Sequence, residues 1–244
     1  ERALEAHSPD VTDAEKADLL IGMAISSKIL GNPMEVLWAT MEEAFEYYVS
    51  AGDTANALYV VNNVPPPAYR LPGHSRMTRR FLEIVLTGTV DEARVQLRHG
   101  SILSIGEGNL EQGKPRTDRA MELAQSIDDP ELNRLVRQSL VTIDTHYLDY
   151  QKSAATADEF IALWTGIDGA ELSPGSMQFA ALSLKALGDV SGAKIISTLG
   201  FEQARKTNHQ QFLMICLRGL TDCSSLIGDW EEAKQLVEQV TRLR

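Results

Sequence analysis

The residues whose types and spacing come closest to a known chemistry are Gly108, Gly113 and Lys114. They match the start of the phosphate-binding loop Gly-x-x-x-x-Gly-Lys, in which backbone amides and the lysine hold the phosphates of a nucleotide. That loop also needs a hydroxyl residue next, which binds Mg²⁺, and a strand before it. Here Pro115 comes next and a helical pattern precedes. A nucleotide-binding or enzymatic domain built on the turn from Gly108 to Lys114 is therefore kept as the alternative function.

The histidines and cysteines show no recognisable metal site or activated nucleophile. No two of the five histidines have the i, i+4 spacing of a helical metal site, and no serine lies in a nucleophile elbow. Cys216 and Cys223 would lie two turns apart on a helix, too far for a disulfide, which favours small core residues in a reduced compartment. We therefore expect no catalysis, no metal and no cofactor.

The composition favours closely packed helices. The 244 residues are 43% hydrophobic and 23% charged but only 6% aromatic, whereas strands favour aromatic and β-branched residues. A net charge of −11 repels phosphate backbones, so direct nucleic-acid binding is not expected. No apolar run reaches the length of a membrane span. Because the chain begins with Glu1 and has no signal peptide, we expect a fragment of a longer cytoplasmic protein.

The positions that could do chemistry belong to a repeat of forty residues. Gly108-Asn109, Gly188-Asp189 and Gly228-Asp229 are turn signals, and Leu148-Asp149 stands where the missing member belongs, with the acidic residue still able to cap the next helix. Three further columns agree. The fifth position after each turn is always small, the seventh before it is never larger than valine, and the eighth before it is uncharged. These columns are Gly113, Ser153, Ala193, Ala233; Ser101, Val141, Ala181, Thr221; and Gly100, Leu140, Ala180, Leu220.

Each repeat is predicted to be a helix, a short turn and a second helix. The first helices are predicted at 91–107, 131–148, 174–187 and 210–227, and the second helices at 110–126, 151–166, 190–206 and 230–243. Residues 1–88 are predicted to hold two degenerate hairpins, with a helix capped by Asp13, a helix ending near Ser50, short helices to about 62 and over 75–87, and an extended segment at 64–67. The fold class is all-α, a right-handed α-solenoid of antiparallel hairpins forming one domain over 1–244.

The turns and the start of the second helices resemble the tetratricopeptide repeat. The stretches that carry the resemblance are Ile227 to Ala233 and Leu187 to Ala193. The chain also resembles the helical-repeat region of large LuxR-type, MalT-like transcriptional activators, on the stretches 104–111 and 120–124. That resemblance implies an ATPase module upstream and a helix-turn-helix domain downstream. Leu148 in the turn position and Pro115 in a second helix depart from the pattern.

The tetratricopeptide resemblance implies that the first helices line a concave binding surface. The tenth position before each turn is polar in all four repeats, and polar residues also stand six and three positions before. The candidate ligand-facing residues are Arg98, Gln138, Gln178 and Arg218 from the first column, Thr142, Asp222 and Lys185 from the others, and His146 beside them. The alternative is that these side chains are merely solvated. A basic cluster at Arg70, His74, Arg76, Arg79 and Arg80 could bind an acidic partner or a nucleotide, although flanking charge on a loop and a helix start is the commoner situation.

Together these patterns predict a non-catalytic domain that binds a peptide, a protein or a small-molecule effector in its concave groove. The resemblance to the activators implies the sensor or scaffold part of a larger transcriptional regulator. Oligomerisation through exposed hairpin faces, in another signalling protein, is a third possibility.

Overall fold

The computed structural model describes residues 12–30, 34–63, 73–165, 174–206 and 210–242, and the regular structure within these ranges is helical. The helices are α1 (Asp13–Leu30), α2 (Met34–Ala51), α3 (Thr54–Asn63), α4 (His74–Leu82), α5 (Val90–Ser101), α6 (Leu110–Ile127), α7 (Pro130–His146), α8 (Tyr150–Thr165), α9 (Pro174–Ala186), α10 (Val190–Lys206), α11 (Gln210–Leu226) and α12 (Trp230–Arg242). A π-helical segment, Ile102–Gly106, continues α5. The predicted all-α fold class of antiparallel helical hairpins is confirmed.

The helices form two compact units, which divide between Asp128 and Asp129. In the first unit, α1 packs on α2 and α5 packs on α6. The buried face of α2 shows helical periodicity, with apolar side chains at i, i+4, i+7, i+8 and i+11. These side chains are Leu37, Met41, Ala44, Phe45 and Tyr48. Phe81 of α4 is also completely buried in this core, so the short helix is held by burial more than by its own propensity.

The second unit consists of three hairpins, α7–α8, α9–α10 and α11–α12. Its core is built around Met177 and the alanines Ala180 and Ala181 of α9, which face Ala193 and Ile196 of α10. Alanines at these points let the helices approach closely, and the apolar residues beside them fill the remaining space. Small residues of the repeat columns therefore lie buried between the two helices of the α9–α10 hairpin.

The residue after each turn caps the second helix of its hairpin, as the sequence predicts. The carboxylates of Asp189 and Asp229 accept hydrogen bonds from the amides of Gly192 (2.8 Å) and Glu232 (3.0 Å). Asn109 accepts from the Gln112 amide at 3.1 Å. The first helix α7 starts on a cap as well, with Asp129 as N-cap and Pro130 at its first position.

The turn at Leu148 has the same backbone as the glycine turns. Leu148 has φ +63°, close to the +88° of Gly188 and the +82° of Gly228. In each of these turns the following aspartate amide donates to the carbonyl five residues earlier, at 2.9 Å, which is the helix-ending bond of a Schellman motif. The left-handed conformation is costly for leucine, and this exposed side chain gains little in return.

Replacing Leu148 with glycine is expected to raise the free energy of unfolding by about 1 kcal/mol. Glycine relieves the left-handed strain, and the exposed leucine side chain that is lost contributes little buried apolar surface. Urea unfolding monitored by circular dichroism measures the change. The matched control is Gly188→Ala, which introduces the same strain and should lower stability by a similar amount. Equal stability of wild type and Leu148→Gly would show that this turn is unstrained.

The structure corrects three details of the predicted helices. The helix predicted over 75–87 is α4, which ends at Leu82. The cap of α1 is Thr12 rather than Asp13, since the Thr12 hydroxyl accepts from the Glu15 amide and the Glu15 carboxylate accepts from the Thr12 amide at 2.9 Å. The helix predicted over 91–107 is α-helical only to Ser101. The extended segment predicted at 64–67 lies outside the described residues.

Candidate binding surface

The three first helices of the second unit are neighbours. Helix α9 packs against both α7 and α11, in addition to its partner α10. Between α9 and α11, the Lys185 ammonium contacts the Asp222 carboxylate with an Nζ–Oδ2 distance of 3.0 Å. Lys185 is mostly buried in this pair and Asp222 is 61% exposed. Two of the predicted ligand-facing residues are therefore in direct contact across adjacent repeats.

Two residue pairs at equivalent repeat positions form an exposed face on α9 and α11. Gln178 and Leu182 lie one helical turn apart on α9, and Arg218 and Asp222 occupy the same two positions on α11. All four are exposed, including the apolar side chain of Leu182 at 43%. Among the residues that the structure describes, Arg218 makes no ion pair. The two neighbouring helices therefore present an exposed apolar side chain together with an exposed carboxylate, a guanidinium and an amide.

The predicted residues on α7 are less available. The Gln138 side chain is half-buried, and its Oε1 accepts a hydrogen bond from Arg134 Nη1 at 3.0 Å. The Thr142 hydroxyl donates to the Gln138 backbone carbonyl at 3.4 Å, within its own helix. His146 is exposed at the end of α7, where its ring meets the ring of Tyr147 edge to face, 5.7 Å between centroids. These three side chains are engaged locally.

Arg98 lies outside this row because the π-helical segment shifts its register. At the turns of the second unit, the capping residue's amide donates to a carbonyl five residues earlier, whereas Asn109 donates to Leu103, six residues earlier, at 2.8 Å. The π turn absorbs the extra residue. Before this turn, each residue of the helix is therefore shifted by one position relative to the other repeats. The position that counting back from the turn assigns to Arg98 is occupied by Leu97, which is buried. Arg98 belongs to the first unit and is half-buried, and burial lowers its pKa to about 10.

A buried triangle of hydroxyl groups ties α7, α8 and α9 together beneath this surface. The Thr145 hydroxyl lies 2.7 Å from that of Ser153 and 2.8 Å from that of Ser183, and the two serine hydroxyls are 2.9 Å apart. Thr145 stands in the third-before-turn column with Lys185, but it is buried. That column is therefore not an exposed row, since Ile105 and Thr145 are buried and Lys185 is mostly buried.

The residues four positions before each turn are mixed in type, and they are Ser104, Asp144, Leu184 and Ser224. Two of them contact the residue four positions after the turn. Asp144 Oδ1 is 2.7 Å from Lys152 Nζ, and the Ser224 hydroxyl donates to Glu232 at 2.7 Å. These two hairpins use different polar pairs for the same contact, so only the two columns, compared together, would have indicated it.

The segment that resembles a phosphate-binding loop has another role in the structure. Gly108 is the left-handed turn residue, with φ +69°. Gly113 packs against Gly100 and Ser104 of the preceding helix. Lys114 forms an ion pair with Asp118, one turn further along α6. The segment is preceded by a π-helical turn, not a strand, and its amides are used to begin α6.

The described residues show neither a cluster of metal ligands nor a membrane-spanning helix. Among them, no group of three His, Cys, Asp or Glu side chains could hold a metal ion. Within the same ranges, no helix combines the length and apolar character needed to cross a membrane.

Known proteins resemble this chain in structure and not in sequence. No protein-family model and no curated protein matches it. The structure of BtubC (BKLC) from P. vanneervenii superposes with a TM-score of 0.60 at 12% identity, covering 95% of this chain and 88% of that one. The TPR-like repeats of a Podospora anserina kinesin light chain give 0.54 at 12% identity, with 84% and 93% covered. The fold is that of the tetratricopeptide-like repeats.

A third tetratricopeptide-like structure covers almost the whole chain. It is a Signal Transduction ATPase with Numerous Domains (STAND) protein with a tetratricopeptide repeat sensor, from Pyrococcus horikoshii. The TM-score is 0.64 at 17% identity, with 98% of this chain and 38% of that one covered. At such identities the superpositions establish the fold alone.

Proposed function

We propose that this chain is a non-catalytic binding module that holds a peptide segment of a partner protein across α9 and α11. The observation that carries the proposal is the exposed face formed by Gln178, Leu182, Arg218 and Asp222 at equivalent positions of two adjacent first helices. These side chains contribute little to packing. They combine the two elements of a recognition surface, an apolar anchor and a rim of hydrogen-bonding groups.

The charges on this face define the chemistry of the peptide. Lys185 already neutralises Asp222, so the uncompensated charge is the guanidinium of Arg218. A guanidinium binds a carboxylate through two parallel hydrogen bonds, and the adjoining Leu182 offers an apolar contact. The preferred peptide therefore carries an acidic residue and an aliphatic or aromatic residue within about one helical turn of each other.

We further infer that the module is the sensor or scaffold part of a larger regulator. Two likenesses support this: the superposition on a STAND protein with a tetratricopeptide repeat sensor, and the resemblance of the repeat stretches to LuxR-type, MalT-like activators. In such an arrangement the partner peptide would report to a neighbouring domain through the hairpins.

The test is to select binders from a random peptide library of about twelve residues and to measure their Kd by fluorescence anisotropy. The double variant Leu182→Ala/Arg218→Ala is expected to weaken binding at least about tenfold, because it removes the anchor and its charge-assisted hydrogen bonds. Helix α12 offers a matched control, Lys234→Ala/Val237→Ala, which also removes an exposed cation and an exposed aliphatic side chain.

The control variant should bind within twofold of wild type. Selected peptides should be enriched in acidic residues next to an apolar one. Peptides that bind both double variants with the wild-type Kd, or that show no acidic enrichment, would rule out this face as the binding site.

A further inference from the structure

The first unit contains a half-open cavity of about 490 Å³ between α4, α5 and α6. Eight residues line it, and six of them carry polar side chains capable of donating a hydrogen bond. The lining residues are Arg79, Gln96, His99, Leu103, Gln112, Pro115, Arg116 and Arg119. The volume falls within the range of about 300–1,000 Å³ that is typical of small-molecule sites.

The charge of this cavity is opposite to that of the protein. Three arginines converge on it, although the whole chain carries a net charge of −11. Arg119 is neutralised by the buried Glu92, with 3.3 Å between Nε and Oε1. Among the described residues, Arg79 and Arg116 have no carboxylate partner. Arg119 also contacts the exposed Glu122 at 3.5 Å, so the guanidinium groups without an ion pair are those of Arg79 and Arg116.

His99 adds a neutral hydrogen-bonding group to the wall. Its Nδ1 lies 2.7 Å from the Thr78 hydroxyl. Burial, together with the positive charges of Arg116 and Arg79, lowers the pKa of His99 to about 4, so the ring is uncharged at neutral pH. The two uncompensated charges are therefore those of Arg79 and Arg116, one from α4 and one from α6.

We propose that this cavity binds a small dianion, a phosphate monoester or a dicarboxylate. Arginine is suited to such groups, because its planar fork donates two parallel hydrogen bonds to a phosphate or carboxylate. Two like charges held at one concave site repel each other, and a ligand with two negative charges removes that repulsion. The half-enclosed shape and limited volume suit a small molecule, and the net charge of −11 on the chain opposes binding of a nucleic acid.

This site does not use the two glycines or the lysine of the loop-like segment from Gly108 to Lys114, and it goes beyond the proposed peptide binding. Gln112 and Pro115 line the cavity, but Lys114 is engaged by Asp118 and is not part of the wall. Binding would act on the first unit alone, by bridging α4 and α6. A ligand that binds only the folded state raises its stability in proportion to the logarithm of its concentration.

The experiment compares inorganic phosphate and succinate with sodium chloride at equal ionic strength, using thermal unfolding and isothermal titration calorimetry at pH 7.5. At least one dianion is expected to raise the Tm of the wild type above the chloride value. The variant Arg79→Gln/Arg116→Gln should weaken the Kd at least about tenfold, since it removes both uncompensated guanidinium groups. Both arginines are exposed, so the variant should fold.

The matched control is Arg80→Gln/Lys114→Gln, which removes two exposed positive charges from the same helices outside the cavity. It should bind the dianion within twofold of wild type. Three results would overturn the proposal: no stabilisation beyond chloride by either dianion, undiminished binding by the cavity variant, or equal loss in both variants. If the cavity double variant failed to fold by circular dichroism, the single variant Arg116→Gln would serve, with a loss of at least about threefold expected.

Discussion

Replacing Gly113 with alanine is expected to lower the free energy of unfolding of the first unit by about 3 kcal/mol. A Cβ at this position would lie 2.7 Å from the Gly100 carbonyl oxygen and 3.0 Å from the Ser104 amide nitrogen, and it would also overlap the Ser104 hydroxyl. The hydroxyl can rotate away, but the two backbone atoms cannot move unless α5 and α6 separate. Separating them would disturb the wall of the cationic cavity, which both helices line.

The matched control is Gly22→Ala in α1 of the same unit, where a Cβ would meet no atom within 4 Å. Alanine has the higher helix propensity, so this variant should gain about 0.5–1 kcal/mol. Urea unfolding followed by circular dichroism measures both. A Gly113→Ala variant as stable as Gly22→Ala would mean that α5 and α6 are not in close contact at this crossing.

The repeat was predictable because its signals are local. A turn residue, an acidic or amide cap directly after it and a small residue five positions on all depend on the backbone within one hairpin. Leu148 could therefore be placed in a turn without its glycine, since Asp149 still marks the cap. The column spacing also identified alanines that are buried in the core of the second unit, Ala180, Ala181 and Ala193.

The π turn after Ser101 was not predictable, because it leaves the forty-residue spacing of the turns unchanged. The extra residue is accommodated inside the first helix. Counting back from Gly108 therefore assigns Arg98 to the position that Leu97 occupies in the structure. Nothing in the side chains of Ile102 to Gly106 signals a change of hydrogen-bond pattern. The contact between Gly100 and Gly113 reveals the shift only once both helices are in place.

The cationic cavity was only partly visible in the sequence. Arg79 belongs to a basic cluster that stands out in an acidic chain, and Arg116 and Arg119 are three residues apart, so they share a face of α6. The sequence does not show that α4 and α6 bring these groups together across α5. It equally hides that Glu92 compensates only Arg119. Convergence of charge from separate helices is a tertiary property.

Acidification from pH 6.5 to about pH 4 is expected to destabilise the first unit by about 1.4 kcal/mol per pH unit for each of two buried histidines. His74 is 2% exposed and packs 5.1 Å from the Trp38 ring, and burial together with the charge of Arg98 lowers its pKa to about 3. The pKa of His99 is lowered to about 4, also mainly by burial. The unfolded chain binds protons near pH 6.5, while the folded unit binds them only at these lower values.

Because both folded-state pKa values are depressed, this stability is fully present above pH 6.5 and is lost as the pH falls through the window. The measurement is urea unfolding at pH 7.5, 6.5, 5.5 and 5.0 in a Trp164→Phe/Trp230→Phe background, so that the fluorescence of Trp38 reports on the first unit. His74→Phe and His99→Gln should each reduce the slope of stability against pH by about half over pH 5.0–6.5. The exposed His146 is the control, and His146→Gln should leave the slope unchanged. A slope that persists in the double variant His74→Phe/His99→Gln would assign acid sensitivity to carboxylates instead.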